Sequence, residues 1–403
     1  MYFRRAFLFI SYFWIVASTY SAQVYLWKQS YNTQTQQTLK CYAENFDAIN
    51  FLSAKITFTK NSNNPILQTL PINTKCLNSL KVKKIASIRI ETLNASEKIY
   101  VALTQEISKK IVEHALFISA KTKATEIQID FDCPISKLAN YAEWLKEIRK
   151  RLPSEIKLSI TAVMSQMRAK DFKETLPYCD YFVLQIHNIA NHSNKLKIFD
   201  FNKSIQAILE ADNFSKDFIV ALPTYSHFIK LKNGKVEKIY SENFNVNLAK
   251  DTSNFVAVRA MPIDVANLRD TITQQKLKNY KGEIYYRLPS GDEISNWSIS
   301  TLLNVMNNPA SKLKQNFETT TEQKQHITEI FLHNTGNIDI FMPKNIEVQI
   351  SENNIYAEGI GDFNLISKKT LNNSTHLIFS TTNICTKIQP SKKIKMGWIK
   401  IKK

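Results

Sequence analysis

The sequence predicts an α/β protein: a (β/α)8, TIM-like barrel over residues 23–316 followed by a small β-sandwich over residues 322–403. Three observations carry this expectation. Short apolar strands alternate with helical stretches from about Gln23 to Asn316, which implies a parallel sheet. Eight such strands in that stretch suit a closed barrel, with a doubly wound open sheet as the alternative. After about Thr320 the helical period disappears and short strands with turns take over.

Taken in order, residues 1–22 read as an export signal. Arg4 and Arg5 precede the apolar run from Ala6 to Ala17, which is too short to span a bilayer comfortably. An uncleaved N-terminal anchor is the competing reading, and no later stretch is long enough to cross a membrane. Val24–Trp27 is the first strand, and a second lies within Ala48–Phe58. Lys84–Glu91 is the third, followed by a helix from about Gln105 to Ala120. In Glu126–Asp132, the fourth strand, Ile127, Ile129 and Phe131 alternate with Glu126, Gln128, Asp130 and Asp132. The next helix, about Lys137 to Leu152, aligns Leu138, Tyr141, Leu145 and Ile148, with Ser136 as its cap and Pro153 beyond its end. Lys157–Val163, Tyr181–His187, Asp217–Leu222 and Gly282–Leu288 complete the set.

Composition narrows the function classes. The chain has 403 residues, 44% of them hydrophobic, and only 7 glycines. It contains no Gly-rich phosphate loop, which argues against a nucleotide-binding fold. The net charge of +18 comes from lysines spread along the chain rather than clustered among aromatics. Nucleic-acid binding is therefore disfavoured; lysines spread among many Asn and Ile read first as compositional bias, with attraction to anionic surfaces such as lipid head groups or acidic cell-wall polymers as the alternative. Lys395, Lys400, Lys402 and Lys403 read as a polymer-binding patch or, preferably, as a lysine-protected edge strand. The five cysteines, Cys41, Cys76, Cys133, Cys179 and Cys385, show no metal-site spacing. A Cys41–Cys76 disulfide is conceivable. No cofactor is expected, and no metal: Asp130, Asp132 and His187 could form a ligand set, but no HExxH-type spacing supports one.

Barrel active sites lie at the C-terminal ends of the strands. Alternation places Tyr25 and Trp27 on one face of the first strand, Ser87, Arg89 and Glu91 on the third, and Gln128, Asp130 and Asp132 on the fourth. Ser159 and Thr161 follow on the fifth, Gln185 and His187 on the sixth, and Tyr285 and Arg287 on the eighth. A self-neutralised polar barrel, with Arg89 and Arg287 paired to Glu91, Asp130 and Asp132, is weighed against a polar mouth holding a ligand. Asp130 and Asp132 stand roughly 6.5–7 Å apart along one strand, so they approach a substrate from the same side, unlike an opposed carboxylate pair. Asp132, nearer the mouth, is the candidate general acid. Asp130 is its support, and Trp27, Glu91, Gln128, Gln185, His187, Tyr285 and Arg287 are the candidate substrate contacts.

This spacing resembles chitinase-type glycoside hydrolases, whose fourth strand ends in Asp-x-Asp-x-Glu on one face; here Gln128, Asp130 and Asp132 hold those positions. A broader set of blocks includes Val24-Tyr25-Leu26-Trp27, Ile127 to Pro134, Leu158 to Ala162, Gln185-Ile186-His187, and Tyr286-Arg287-Leu288-Pro289 with Asp292 and Trp297. Together these resemble a bacterial exported family catalogued as domain of unknown function 3142. That resemblance implies a barrel of the glycosidase sort without a substrate. The expectation is an exported, periplasmic or extracellular protein that cleaves or binds a carbohydrate polymer. The alternative is a non-catalytic glycan- or protein-binding envelope component. The sequence leaves oligomeric state open.

Overall fold

The computed structural model describes residues 21–58, 65–91, 105–187, 190–192, 195–240, 254–291, 293–381, 383 and 386–402. Most of the expected export segment, together with Asp292 and Cys385, lies outside the described residues. Eight parallel strands form the barrel: β1 (Ser21–Leu26), β2 (Ala48–Thr57), β3 (Lys83–Glu91), β4 (Glu126–Asp130), β5 (Lys157–Val163), β6 (Tyr181–Gln185), β7 (Phe218–Pro223) and β8 (Tyr280–Tyr286). Each pairs with its sequence neighbour, and β1 pairs with both β2 and β8, which closes the ring. Closure brings the backbone of Gly282 against that of Ser21, where a Cβ would collide. Gly282 also has φ +137°, a conformation that L side chains rarely adopt.

Helices follow the strands: α1 (Thr33–Tyr42), α2 (Thr74–Ser79), α3 (Gln105–Thr122), α4 (Leu138–Arg151), α5 (Phe201–Asp212), α6 (Pro262–Gln274) and α7 (Ile299–Asn307). Three short 3-10 turns replace a helix after β5. In α4 the buried stripe is Leu138, Tyr141, Leu145 and Ile148, the spacing that covers one face of a helix on a sheet. Ser136 does not cap α4; the chain enters it through a 3-10 turn at Ile135–Lys137. None of the described helices is long and apolar enough to cross a membrane.

Between β7 and α6 the chain makes a three-stranded antiparallel sheet of Ser226–Lys232, Lys235–Tyr240 and Phe255–Arg259. Its hairpin turns at Asn233 and Gly234, both at positive φ (51° and 73°), the backbone that a two-residue type I′ turn requires.

The C-terminal sandwich sets four strands (Phe317–Lys324, Ile327–Asn334, Lys393–Ile401, Ile355–Gly359) against three (Asn345–Ile350, Ser374–Thr381, Phe363–Leu371). Ile330, Leu332, Val348, Leu377, Phe379 and Met396 fill the space between them. The last strand is not an edge, contrary to the expectation for its lysines. Lys393–Ile401 lies between two partners, and Lys395 is paired with Glu329. Asp339 ties the two units together, accepting from Ser298 N at 2.6 Å and Ser298 Oγ at 2.7 Å.

Candidate active site

Three successive inward positions of β4 build the interior, because a strand returns a side chain to the same face every second residue. Deepest is Glu126, which accepts from Ser159 Oγ at 2.8 Å, Tyr181 Oη at 2.5 Å and Lys83 Nζ at 2.6 Å. Gln128 follows, fully buried. Its Oε1 accepts from Tyr25 Oη at 2.7 Å, Asn50 Nδ2 at 2.9 Å and Ser87 Oγ at 3.2 Å, while its Nε2 donates to Ser159 Oγ at 3.3 Å. Asp130 is uppermost and 3% exposed. It accepts from Arg89 Nη1 at 2.5 Å, Thr161 Oγ1 at 2.9 Å and Gln185 Nε2 at 3.0 Å. A carboxylate this deep needs such partners to remain charged.

Asp132 lies just past the end of β4, and its side chain is 53% exposed. Arg89 reaches it too, with Nη2 at 3.7 Å from Oδ2. Loss of solvation at the mouth raises the Asp132 carboxyl above its ordinary value. The like charge of Asp130 adds to the rise, and Arg89 opposes it.

Aromatic rings form the rim. Trp27 packs edge-on to Tyr25 (5.6 Å between ring centroids) and Tyr286 (5.7 Å), with the Arg89 guanidinium 6.0 Å from its ring. His187 stacks on Tyr286 at 5.4 Å and meets Tyr225 through Nδ1 at 3.2 Å from the hydroxyl. Its Nε2 is buried without a hydrogen-bond partner. Burial depresses His187 to about 4, and His114, enclosed against Ser53 and Thr69, likewise to about 4. Both imidazoles are neutral when folded at mildly acidic pH, whereas an unfolded histidine gains a proton below about 6.5. The unfolded state then binds more protons, so stability is complete above that value and falls as pH drops toward 4. A series of melting temperatures between pH 7 and pH 4.5 should decline, and His114→Phe should flatten the decline. An equally steep decline in that variant refutes the assignment.

The sequence-predicted residues therefore separate into groups. Asp130, Asp132, Gln185, His187 and Trp27 gather at the mouth of the barrel, where Arg89, expected only as an ion-pair partner, meets both aspartates. Gln128 is enclosed by four hydrogen bonds and faces no ligand space. Glu91 stands at the β2–β3 rim, paired with Lys55 at 2.8 Å. Arg287 lines a side cleft, 3.4 Å from Glu293.

Tyr285 is not at the mouth. It packs into the strand–helix layer near Arg269 of α6, and burial raises its hydroxyl. On β8 it is Ile284 and Tyr286 that turn inward, with the cluster of Tyr25, Trp27 and Val183. The expectation gave the inward face to Tyr285 and Arg287, whereas the strand keeps its alternation in the opposite phase. Tyr286 and Tyr225 are site residues that sequence reasoning missed. The inward phase of Ile284 would have pointed to Tyr286, whereas nothing local marked Tyr225. Among the described residues no three His, Cys, Asp or Glu side chains come together as a metal-binding group.

Solved structures with a similar fold include the spore cortex-lytic enzyme SleL of Bacillus cereus, at TM-score 0.53 and 16% identity, covering 72% of this chain and 74% of that one. A chitinase of Chromobacterium violaceum matches at TM-score 0.51 and 12% identity, over 71% of this chain and 97% of its own. One of Bacteroides thetaiotaomicron matches at TM-score 0.51 and 13% identity, over 72% and 95%. At these identities the likeness establishes the fold alone, a TIM barrel. A comparison with curated protein sequences finds no match. A family profile covers residues 83–291, more than half of the chain, and the chain thus belongs to the family described as domain of unknown function (DUF3142).

Proposed function

We propose that this barrel acts on a cell-surface polysaccharide as an exported glycoside hydrolase, with Asp132 as general acid. One observation carries the reading. A half-exposed carboxyl with its affinity for a proton raised stands directly above a buried carboxylate locked by Arg89, Thr161 and Gln185. An acid needs a proton to give at the working pH and a fixed direction in which to give it. Burial and Asp130 favour the first, and the anchored end of β4 favours the second. Asp130 has its oxygens committed to three donors and lies on the same strand, so it serves as a positioning residue rather than as an opposed nucleophile. Trp27, only 8% exposed, and Tyr286 pack together beside this pair and give the mouth an apolar, aromatic border. Two of these fold neighbours are named as chitinases and two as spore cortex-lytic enzymes, which supports polymeric carbohydrate as the substrate class.

A second reading is a glycan-binding envelope component without turnover. Arg89 favours it by lying close to Asp132 and holding part of its charge. The test is incubation of the purified chain with insoluble chitin and isolated bacterial peptidoglycan, measuring released reducing ends and protein retained on the solid. Release supports the hydrolase, and retention alone supports the binder. If neither polymer is cleaved or retains the protein, both readings fail.

A further inference from the structure

Beside the mouth, a cleft of about 460 Å³ opens between the segment after β1 and the loop after β8. Trp27 lines the cleft and also packs against Tyr25 and Tyr286 at the mouth, so a single side chain borders both. The other walls carry Lys28, Gln34, Arg287, Ser290 and Glu293. The loop holding Glu293 is fixed from the sandwich, where Lys387 donates to the carbonyls of Glu293 (at 2.7 Å) and Asn296. Opposite it, the Gln34 side chain lies against Gly291, where a Cβ would collide with it.

The polar groups of this cleft are incompletely satisfied. Glu293 Oε1 accepts from Lys28 Nζ and, at 2.8 Å, from Ser290 Oγ. Oε2 accepts no hydrogen bond, although Arg287 Nη2 stands 3.4 Å away. Arg287 has a side chain only 3% exposed. Its guanidinium donates one hydrogen bond, to Ser295 Oγ at 3.3 Å, out of five N–H groups that a guanidinium carries. A carboxylate oxygen and a guanidinium edge, each short of a partner and side by side, complement a pair of hydroxyls. Each hydroxyl can donate to one and accept from the other. Rotation about the last side-chain bond of Glu293, a soft torsion, turns Oε2 toward the cleft as Oε1 leaves Lys28 and Ser290, so a ligand hydroxyl must replace those contacts.

We propose that this cleft is a sugar subsite adjoining the Asp132 site, and that Arg287 and Glu293 there read neighbouring hydroxyls of a neutral sugar ring. The inference rests on the carbohydrate reading above and adds a substrate class to it. An acidic sugar fits less well despite the basic chain, because a ligand carboxylate would have to displace Glu293 from the two cations that it already holds.

The test is titration calorimetry on the full chain carrying Asp132→Asn, which suppresses turnover. The probes are a β-1,4-linked N-acetylglucosamine pentamer and a galacturonic acid pentamer. The neutral pentamer should bind at least about tenfold more tightly than the acidic one, and Glu293→Gln should weaken it by about tenfold. Gln34→Ala, an exposed change that leaves the core untouched, should weaken it by about threefold and covers the case in which Glu293→Gln fails to fold. Unchanged affinity in whichever of these variants folds, or preference for the acidic pentamer, overturns the subsite while leaving the carbohydrate reading intact. Failure of both pentamers to bind overturns the two together.

Discussion

Replacement of Asp132 by Asn should lower turnover of a cleaved glycan by about 10²- to 10⁴-fold, the usual contribution of a positioned general acid. Affinity for the same glycan should stay within about threefold, since the amide keeps the shape and most of the hydrogen-bonding capacity. The pH profile gives the sign. An acid acts only while protonated, so the rate should fall as pH rises through the Asp132 pKa, and that limb is displaced upward from the ordinary aspartate value because loss of solvation at the mouth and the charge of Asp130 raise it. Asp130→Asn removes the like charge and should move the limb to lower pH, a displacement that a purely structural role for Asp130 would not produce. Undiminished turnover in Asp132→Asn eliminates Asp132 as the acid.

Arg89→Met should carry the largest cost in stability. It strips the cation from Asp130, whose side chain is 4% exposed, and leaves that carboxylate with two neutral donors, Thr161 and Gln185. Breaking a buried ion pair from one side costs about 3–5 kcal/mol. Because the Arg89 side chain is 33% exposed, solvent screening reduces this to about 2–3 kcal/mol. The melting temperature should drop by several degrees, and the Arg89→Met/Asp130→Asn pair should recover more than half of the loss, since the orphaned charge is then absent. Arg89 also lowers the Asp132 pKa, so any surviving activity should extend to higher pH in Arg89→Met. A melting temperature within one degree of the unsubstituted chain, or a double variant no better than the single, refutes this account of the pair.

Much of the barrel was legible because its signals are local. The run Glu126 to Asp132, the stripe Leu138, Tyr141, Leu145 and Ile148, and the strand candidates through Gly282–Leu288 depend on which face each side chain buries, and the sequence carries that period directly. The three-stranded excursion after β7 announces itself only at Asn233-Gly234, a turn signal between the buried Ser226–Lys232 and the exposed, polar Lys235–Tyr240, whose period carries no buried face. The lysine-rich last strand looked like an edge because its charges are visible in sequence. Its partners, Ile327–Asn334 and Ile355–Gly359, lie dozens of residues away.

For the site, residue types and periodicity nominated Asp130, Asp132, Gln185 and His187, inward positions of β4 and β6 or of the residues just beyond, and offered Arg89 only as an ion-pair partner. Which nominee does what was decided by ring closure. Gln128 became an enclosed hub only because β1, β2, β3 and β5 direct Tyr25, Asn50, Ser87 and Ser159 at it together. Tyr285 and Tyr286 exchanged places because alternation gives the period of a strand but not which of its two faces the barrel encloses. The cleft of Arg287 and Glu293 exists because β1 and β8, at opposite ends of the barrel sequence, are neighbours in space. Local chemistry therefore determined the strands, the helices and the list of polar residues. The tertiary structure alone decided which of them share a cavity, because cavity membership depends on contacts between segments hundreds of residues apart, which no local period encodes.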